Sequence, residues 1–165
     1  MGGKMTEKSD RLVASVSVAV CVERDGKLLM TQKKDTGLWG LPAGHLLKKE
    51  KETETILEAA RRESMEELGV EVIPFAVLGV YYFPKKEGLS ICIVLRASIS
   101  PKAVFSPKDA EIRKAEWKDA KWVRYSLTSG ELYRPEYTVH NLIDWLNDAM
   151  FSLTLLREFP GGWME

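Results

Sequence analysis

The sequence predicts an α/β fold in which a mixed sheet is covered by helices on both faces. Three observations carry that expectation. Residues 12–24 are rich in valine and alternate in part, as a largely buried strand does, and Asp25-Gly26 then signals a hairpin turn. Residues 70–83 and 89–99 read as a long β pair joined by the turn 84–88. Two segments, 53–68 and 135–150, carry helical periodicity instead. Strands interleaved with helices suit a layered arrangement.

Taken in order, residues 27–32 return from the Asp25-Gly26 turn as a second strand, and 33–37 form a polar turn into a short apolar strand, 38–41. Pro42 opens a loop. The first helix takes Thr53 as its N-cap and Gly69 as the glycine that ends it in the left-handed conformation. Leu57, Ala60, Ser64 and Leu68 recur at three- and four-residue steps and form its inner face, where a serine speaks for close approach of helix to sheet. Residues 100–115 are a Pro- and Lys-containing excursion, read as a mobile loop, and 121–124 as a short strand. The helix over 135–150 turns Val139, Leu142, Ile143, Leu146 and Met150 inward. No repeat or long linker divides the chain. Residues 11–160 are therefore expected to form one domain, between a flexible segment, 1–10, and a tail, 161–165.

Composition narrows the function classes. At 165 residues and 45% hydrophobic content the chain suits one domain with a sizeable core. Its 24 basic and 24 acidic residues cancel, so no overall field draws it to nucleic acid or to a membrane surface. An anionic ligand would have to be held locally. Cys21 and Cys92 lie in apolar runs as small buried hydrophobes, give no disulfide framework and fit a reducing cytoplasm. The apolar run near 13–22 is too short and serine-broken to span a bilayer.

The chemistry concentrates in residues 44–70. Glu63 shares a helix face with Glu66 and Glu67, three and four residues on, and like charges at that spacing repel. A divalent cation with oxygen ligands is a natural counterweight. The segment resembles the Nudix box, G-x5-E-x7-R-E-U-x-E-E-x-G-U, where U is apolar. Arg62-Glu63, Glu66-Glu67 and Gly69-Val70 match it, and Glu54 stands the required seven residues before Arg62. Two features depart from it. Ser64 replaces an apolar residue, and nine residues rather than five separate Gly44 from Glu54, a four-residue insertion that a loop absorbs. Glu50 would keep the loop spacing but lose the helix phase. Trp39-Gly40-Leu41-Pro42-Ala43 precedes the box as an apolar strand and turn do in the family.

The resemblance implies a Nudix fold, an α/β/α sandwich, and a Mg²⁺-dependent hydrolase of a nucleoside diphosphate linked to some moiety X, with Mn²⁺ as a substitute ion. It assigns Glu63, Glu66 and Glu67 to metal binding and catalysis, with the backbone carbonyl of Ala43 as a further oxygen. Gly44 and Glu54 support the cluster, and Arg62 orients its carboxylates by paired hydrogen bonds. A later glutamate often completes such sites. Glu116, in Glu-x5-Trp-Val, is the choice, and Glu111 has the same spacing to Trp117. His45, Lys33, Lys34 and Arg96 are candidate phosphate contacts, and Trp39, Tyr81, Tyr82 and Phe83 could stack on a base. His140 is read as structural or exposed. Pro42–Leu46 with Leu132-Tyr133-Arg134-Pro135 is similar to bacterial Nudix phosphatases, which act on nucleoside tri- and diphosphates and on a thiamine-precursor pyrophosphate. The partner expected is a small nucleotide or pyrophosphate compound, not nucleic acid or membrane, and homodimers are common in the family. The alternative reading is a catalytically silent Nudix domain that binds nucleotides or regulates.

Overall fold

The computed structural model describes residues 13–48, 53–86 and 88–157. Seven strands form one mixed sheet: β1 (Ala14–Arg24), β2 (Lys27–Lys33), β3 (Trp39–Gly40), β4 (Ala43–His45), β5 (Val72–Lys85), β6 (Gly88–Ile99) and β7 (Ile112–Asp119). The helices are α1 (Ile56–Leu68), α2 (Ala120–Ser129) and α3 (Pro135–Leu146), followed by a 3₁₀ turn, Leu153–Leu155. The main strand order is β3-β2-β1-β6-β5, with β4 joined to β1 and β7 to β2. β1 and β6 are parallel, and the other pairs are antiparallel.

Strand alternation sorts the core into two layers. Val18, Val20 and Val22 of β1 pack with Ala59, Ala60 and Leu68 of α1. The intervening Ala19 and Cys21 pack on the other face with Val123 of α2 and Leu142 and Trp145 of α3. A period of two therefore places one helix on one face and two on the other, the expected sandwich. Opposite β6, β1 pairs with β2 at Val22–Arg24 and with β4 at Ser17–Ala19. That handover carries Ala43–His45 to the start of the site. Among the described residues no helix is long and apolar enough to cross a membrane.

Several expectations are corrected. α1 begins at Ile56, and Thr55, not Thr53, is its N-cap: its side chain accepts from Glu58 N while Glu58 accepts from Thr55 N, a capping box. Residues 121–124 are helical, because Asp119 caps α2 by accepting from Trp122 N and the helix continues to Ser129. The excursion 100–115 ends in the first residues of β7, which pairs along β2. α3 stops at Leu146, leaving Met150 outside it, and both Met150 and Ile143 are exposed. β4 lies within what reads as loop. Leu12, Glu50, residues 1–10 and the tail lie outside the described residues.

Candidate active site

The box helix is set at both ends by local chemistry. The Thr55 capping box starts it, and Gly69, at φ 71°, ends it with its N–H on Met65 O. Ser64 is fully buried on the inner face, as a close helix–sheet approach requires. The four-residue insertion leaves the helix in phase: Lys48 and Thr53 form an isolated bridge across it, and Glu54 N donates to Leu47 O at 3.0 Å.

Arg62 gathers the carboxylates. Its Nε donates to Glu54 Oε1 at 2.8 Å and its Nη2 to Glu54 Oε2 at 3.0 Å. Nη1 is shared by Glu63 Oε1 at 2.6 Å and Glu66 Oε2 at 3.1 Å. Nη2 also reaches the His45 carbonyl at 3.0 Å, tying α1 to β4. These hydrogen bonds, Glu54 first, hold the guanidinium pKa above its ordinary value despite partial burial. Gly44 makes this packing possible, since a Cβ there would overlap the Glu63 carboxylate.

Glu67, the most deeply buried of the four box carboxylates, faces β2 and β4. Lys33 Nζ lies 3.0 Å from its Oε1, and Ala43 N donates to its Oε2 at 3.3 Å. Burial pushes the Glu67 carboxyl up to about 7, with Lys33 and the Ala43 N–H pulling against that rise. Burial also lowers Lys33, but the adjacent Glu67 outweighs it and leaves the ammonium above its usual range. The contact found at Ala43 thus runs through its N–H; its carbonyl has no described contact to the cluster.

The two candidate later glutamates part company. Met30 pairs with Glu116 across β2 and β7, so both point to the face of α2 and α3, away from α1. Glu116 is held there by Lys114 at 2.5 Å and Lys118 at 2.7 Å, which keep its carboxyl below the usual carboxylate range. Glu111 instead lies just before β7, in a loop fastened to the end of α1: Asp109 N donates to Glu66 O at 3.1 Å and Ser106 N to Leu68 O at 2.8 Å. Its Oε2 is 3.9 Å from Lys33 Nζ.

Beside this cluster lies a cavity of about 410 Å³, lined by Lys33, Ala43, Gly44, His45 and Glu111. Its other walls include Tyr133 and Arg134, which precede α3, and residues of β1, β6 and α3. Lys33 Nζ and the Arg134 guanidinium lie 5.7 and 5.3 Å from the Tyr133 ring. Arg134 holds a left-handed backbone, φ 46°, unusual for a residue with a side chain. The sequence signal for this wall was the segment 132–135; nothing singled out Thr138 or Asn141. Arg96 is drawn elsewhere, onto Glu23 at 2.6 and 2.8 Å and Asp148 at 2.6 Å, and does not line the cavity. Neither do Lys34, Trp39, Tyr81, Tyr82 or Phe83. Trp39 is core, Tyr81 donates to Asp144 at 2.5 Å, and His140 is exposed.

The donor set suits a hard divalent ion. Four box carboxylates supply oxygens, and Glu63 and Glu66 each keep one oxygen without a described hydrogen-bond partner. Among the described residues no three acidic, histidine or cysteine groups already converge as a cage. Arg62 and Lys33 pair with carboxylate oxygens of this set.

Comparison with known proteins gives the same family. A family model described as the NUDIX domain matches residues 12–137. Phosphatase NudJ of Escherichia coli K12 is 43% identical over 61 residues, 36% of this chain and 37% of that protein, so the match spans little more than a third of that relative. The same protein of Shigella flexneri matches equally. A NUDIX hydrolase structure from Nitrosomonas europaea superposes with a TM-score of 0.74 at 22% identity, covering 91% of this chain and all of that one. The Escherichia coli ORF135 protein gives 0.64 at 20% identity over 82% and 91% of the two chains. These likenesses carry the fold, and the family match covers most of the chain. Box, sandwich and family match agree: this chain belongs to the Nudix family.

Proposed function

We propose that the protein is a Mg²⁺-dependent hydrolase of a phosphoanhydride bond in a nucleoside diphosphate linked to a moiety X, most simply a nucleoside di- or triphosphate. The observation that carries this reading is the convergence of Glu54, Glu63 and Glu66 on Arg62, and of Glu67 on Lys33, beside one cavity. Glu63, Glu66 and Glu67 would hold the ion, with the Ala43 carbonyl as a further oxygen. When bound, a divalent ion neutralises phosphate charge and acidifies the attacking water. Arg62 and Glu54 orient the carboxylates. Lys33 and His45 face the phosphates from the cavity wall, and Arg134 adds a third side chain able to meet an anion. Of the later glutamates we assign Glu111 to the site, because it lines the cavity and Glu116 does not. The general base is a carboxylate of this group.

The test is phosphate and pyrophosphate release from a panel of nucleotides and nucleotide conjugates, with Mg²⁺ or with EDTA, on wild type and Glu67→Gln. Turnover that needs the metal and falls by about 10²–10³ in the variant is the expected result. Tight nucleotide binding with no turnover on any panel member would instead mark a silent binding module.

A further inference from the structure

The cavity has two ends. The box end holds Lys33, His45 and Glu111, and from it the floor follows β1 outward. His45 pairs with Ser17, and Ser15, the next β1 residue on that face, lies about 7 Å further along the strand. Ser90 of β6 pairs with Ser15, and Lys85 of β5 reaches it from beyond. Ser17, Ser90 and Lys85 all line the cavity. The far end is pinned by its backbone, since Leu89 N donates to Val13 O at 3.0 Å.

At this far end the hydrogen bonds run in one direction. Lys85 Nζ donates to Ser15 Oγ at 3.3 Å, and Ser15 Oγ donates to Ser90 Oγ at 3.4 Å. Ser90 is only 8% exposed, and its own hydroxyl proton has no described acceptor. The Lys85 ammonium has further hydrogens to give and, among the described residues, pairs with no carboxylate. Among those residues the one carboxylate lining the cavity is Glu111, which stands at the other end beside Lys33. An unpaired surface lysine is ordinary. One that leads a row of hydroxyls into a cavity, with the last of them buried and its proton unspent, is a set of donors that calls for an anion.

We propose that Lys85, Ser15 and Ser90 form a second anion site, which takes a phosphomonoester carried on moiety X of the substrate. The proposal rests on the phosphoanhydride reading only for which end holds the bond to be cleaved. A phosphomonoester suits the site better than a carboxylate, because it brings about −1.5 to −2 charge and offers an acceptor oxygen to each of the three side chains. Strand geometry sets the reach: Ser15 stands about 8 Å from His45, one strand across and two residues along. The substrate class narrows accordingly to pyrophosphate compounds with a separate phosphate at least that far from the anhydride. A nucleotide with all its phosphates in one short chain meets the box end alone.

Equilibrium binding of methylenediphosphonate esters of straight-chain diols, in Mg²⁺, tests the proposal without assuming any nucleoside. Chains of graded length are compared with the free end as a hydroxyl or as a phosphate. Wild type is expected to bind the phosphate-ended probe about tenfold or more tightly once the chain spans the two ends, and to show no gain with short chains. This comparison needs no variant. Lys85→Gln should abolish the gain, Lys85→Arg keep most of it and Ser90→Ala reduce it, with hydroxyl-ended probes changing by less than about twofold. Lys86→Gln, next in the chain but off the cavity, should leave the gain intact, which separates a site from general attraction to positive charge. Melting curves establish that Ser90→Ala, the one buried change, is folded. No gain at any length, a gain indifferent to Lys85, or an equal loss in Lys86→Gln overturns the proposal. A Lys85-dependent gain with no phosphoanhydride cleavage on any substrate would sink the hydrolase reading and leave this one standing. Cleavage without any such gain would do the reverse.

Discussion

Gly44 and Glu63 compete for one space: the position a Cβ would take on residue 44 is filled by the Glu63 carboxylate. β4 therefore passes directly under the box helix, and Arg62 locks the approach by bonding both the His45 carbonyl and Glu63. The glycine serves close approach here, and its replacement acts on the site before the fold.

Gly44→Ala is accordingly expected to displace Glu63 and lower kcat/KM about 10²-fold, the scale of a misplaced catalytic group. Steady-state kinetics with melting curves checks it. A variant with unchanged kinetics would show that Glu63 is not needed where it stands.

Arg62→Lys should destabilise the protein by about 2–4 kcal/mol, since one ammonium cannot replace a planar fork that serves Glu54, Glu63, Glu66 and the His45 carbonyl together. Urea unfolding of the metal-free protein measures this. A loss below about 0.5 kcal/mol would mean these pairs behave as exposed surface bridges.

Glu111→Gln and Glu116→Gln separate the two later glutamates. With Glu111 on the cavity and Glu116 clasped by two lysines on the α2/α3 face, the first change should reduce kcat about tenfold or more and the second less than about twofold. Parallel kinetics of the two variants decides, and the opposite ranking would return the role to Glu116.

Metal-free stability should fall as pH rises from about 4.5 to about 7. Burial raises the Glu67 pKa from 4.5 to about 7, so across that window the folded chain binds the proton more tightly than the unfolded one. Deprotonation then costs stability, at most on the order of 3 kcal/mol. Melting temperatures across this range, for wild type and Glu67→Gln, test the point. The slope should flatten in the variant, and an unchanged slope would place its origin elsewhere.

The box was legible because its information is local. Glu63, Glu66 and Glu67 are set on one side of the helix by helix pitch alone, and Gly69 marks the stop through a left-handed backbone conformation that glycine takes without strain. Glu54 was legible for the same reason, and the Lys48–Thr53 bridge explains why the inserted residues do not disturb it. The choice between Glu111 and Glu116 was not. Their equal spacing to a tryptophan says nothing about which of them reaches the cavity, with Glu111 just before β7 and Glu116 within it, and that depends on a strand pairing with β2 that the loop-like sequence did not announce. Residues 121–124 failed similarly, because a few alternating residues fit a strand or the first turn of a capped helix.

Sequence alone determined the α/β class and the helix that aligns the carboxylates, since each follows from periodicity or spacing within a short segment, while the family was reached through the resemblance of residues 44–70 to the Nudix box. Tertiary structure alone decided which distant side chains meet them. Lys33 reaches Glu67 across 34 positions, Arg96 is claimed by Glu23 across 73, and Asn141 comes to the cavity wall because α3 packs against β5. Those contacts depend on sheet register and on which face each strand residue takes, and both are set by burial across the whole domain.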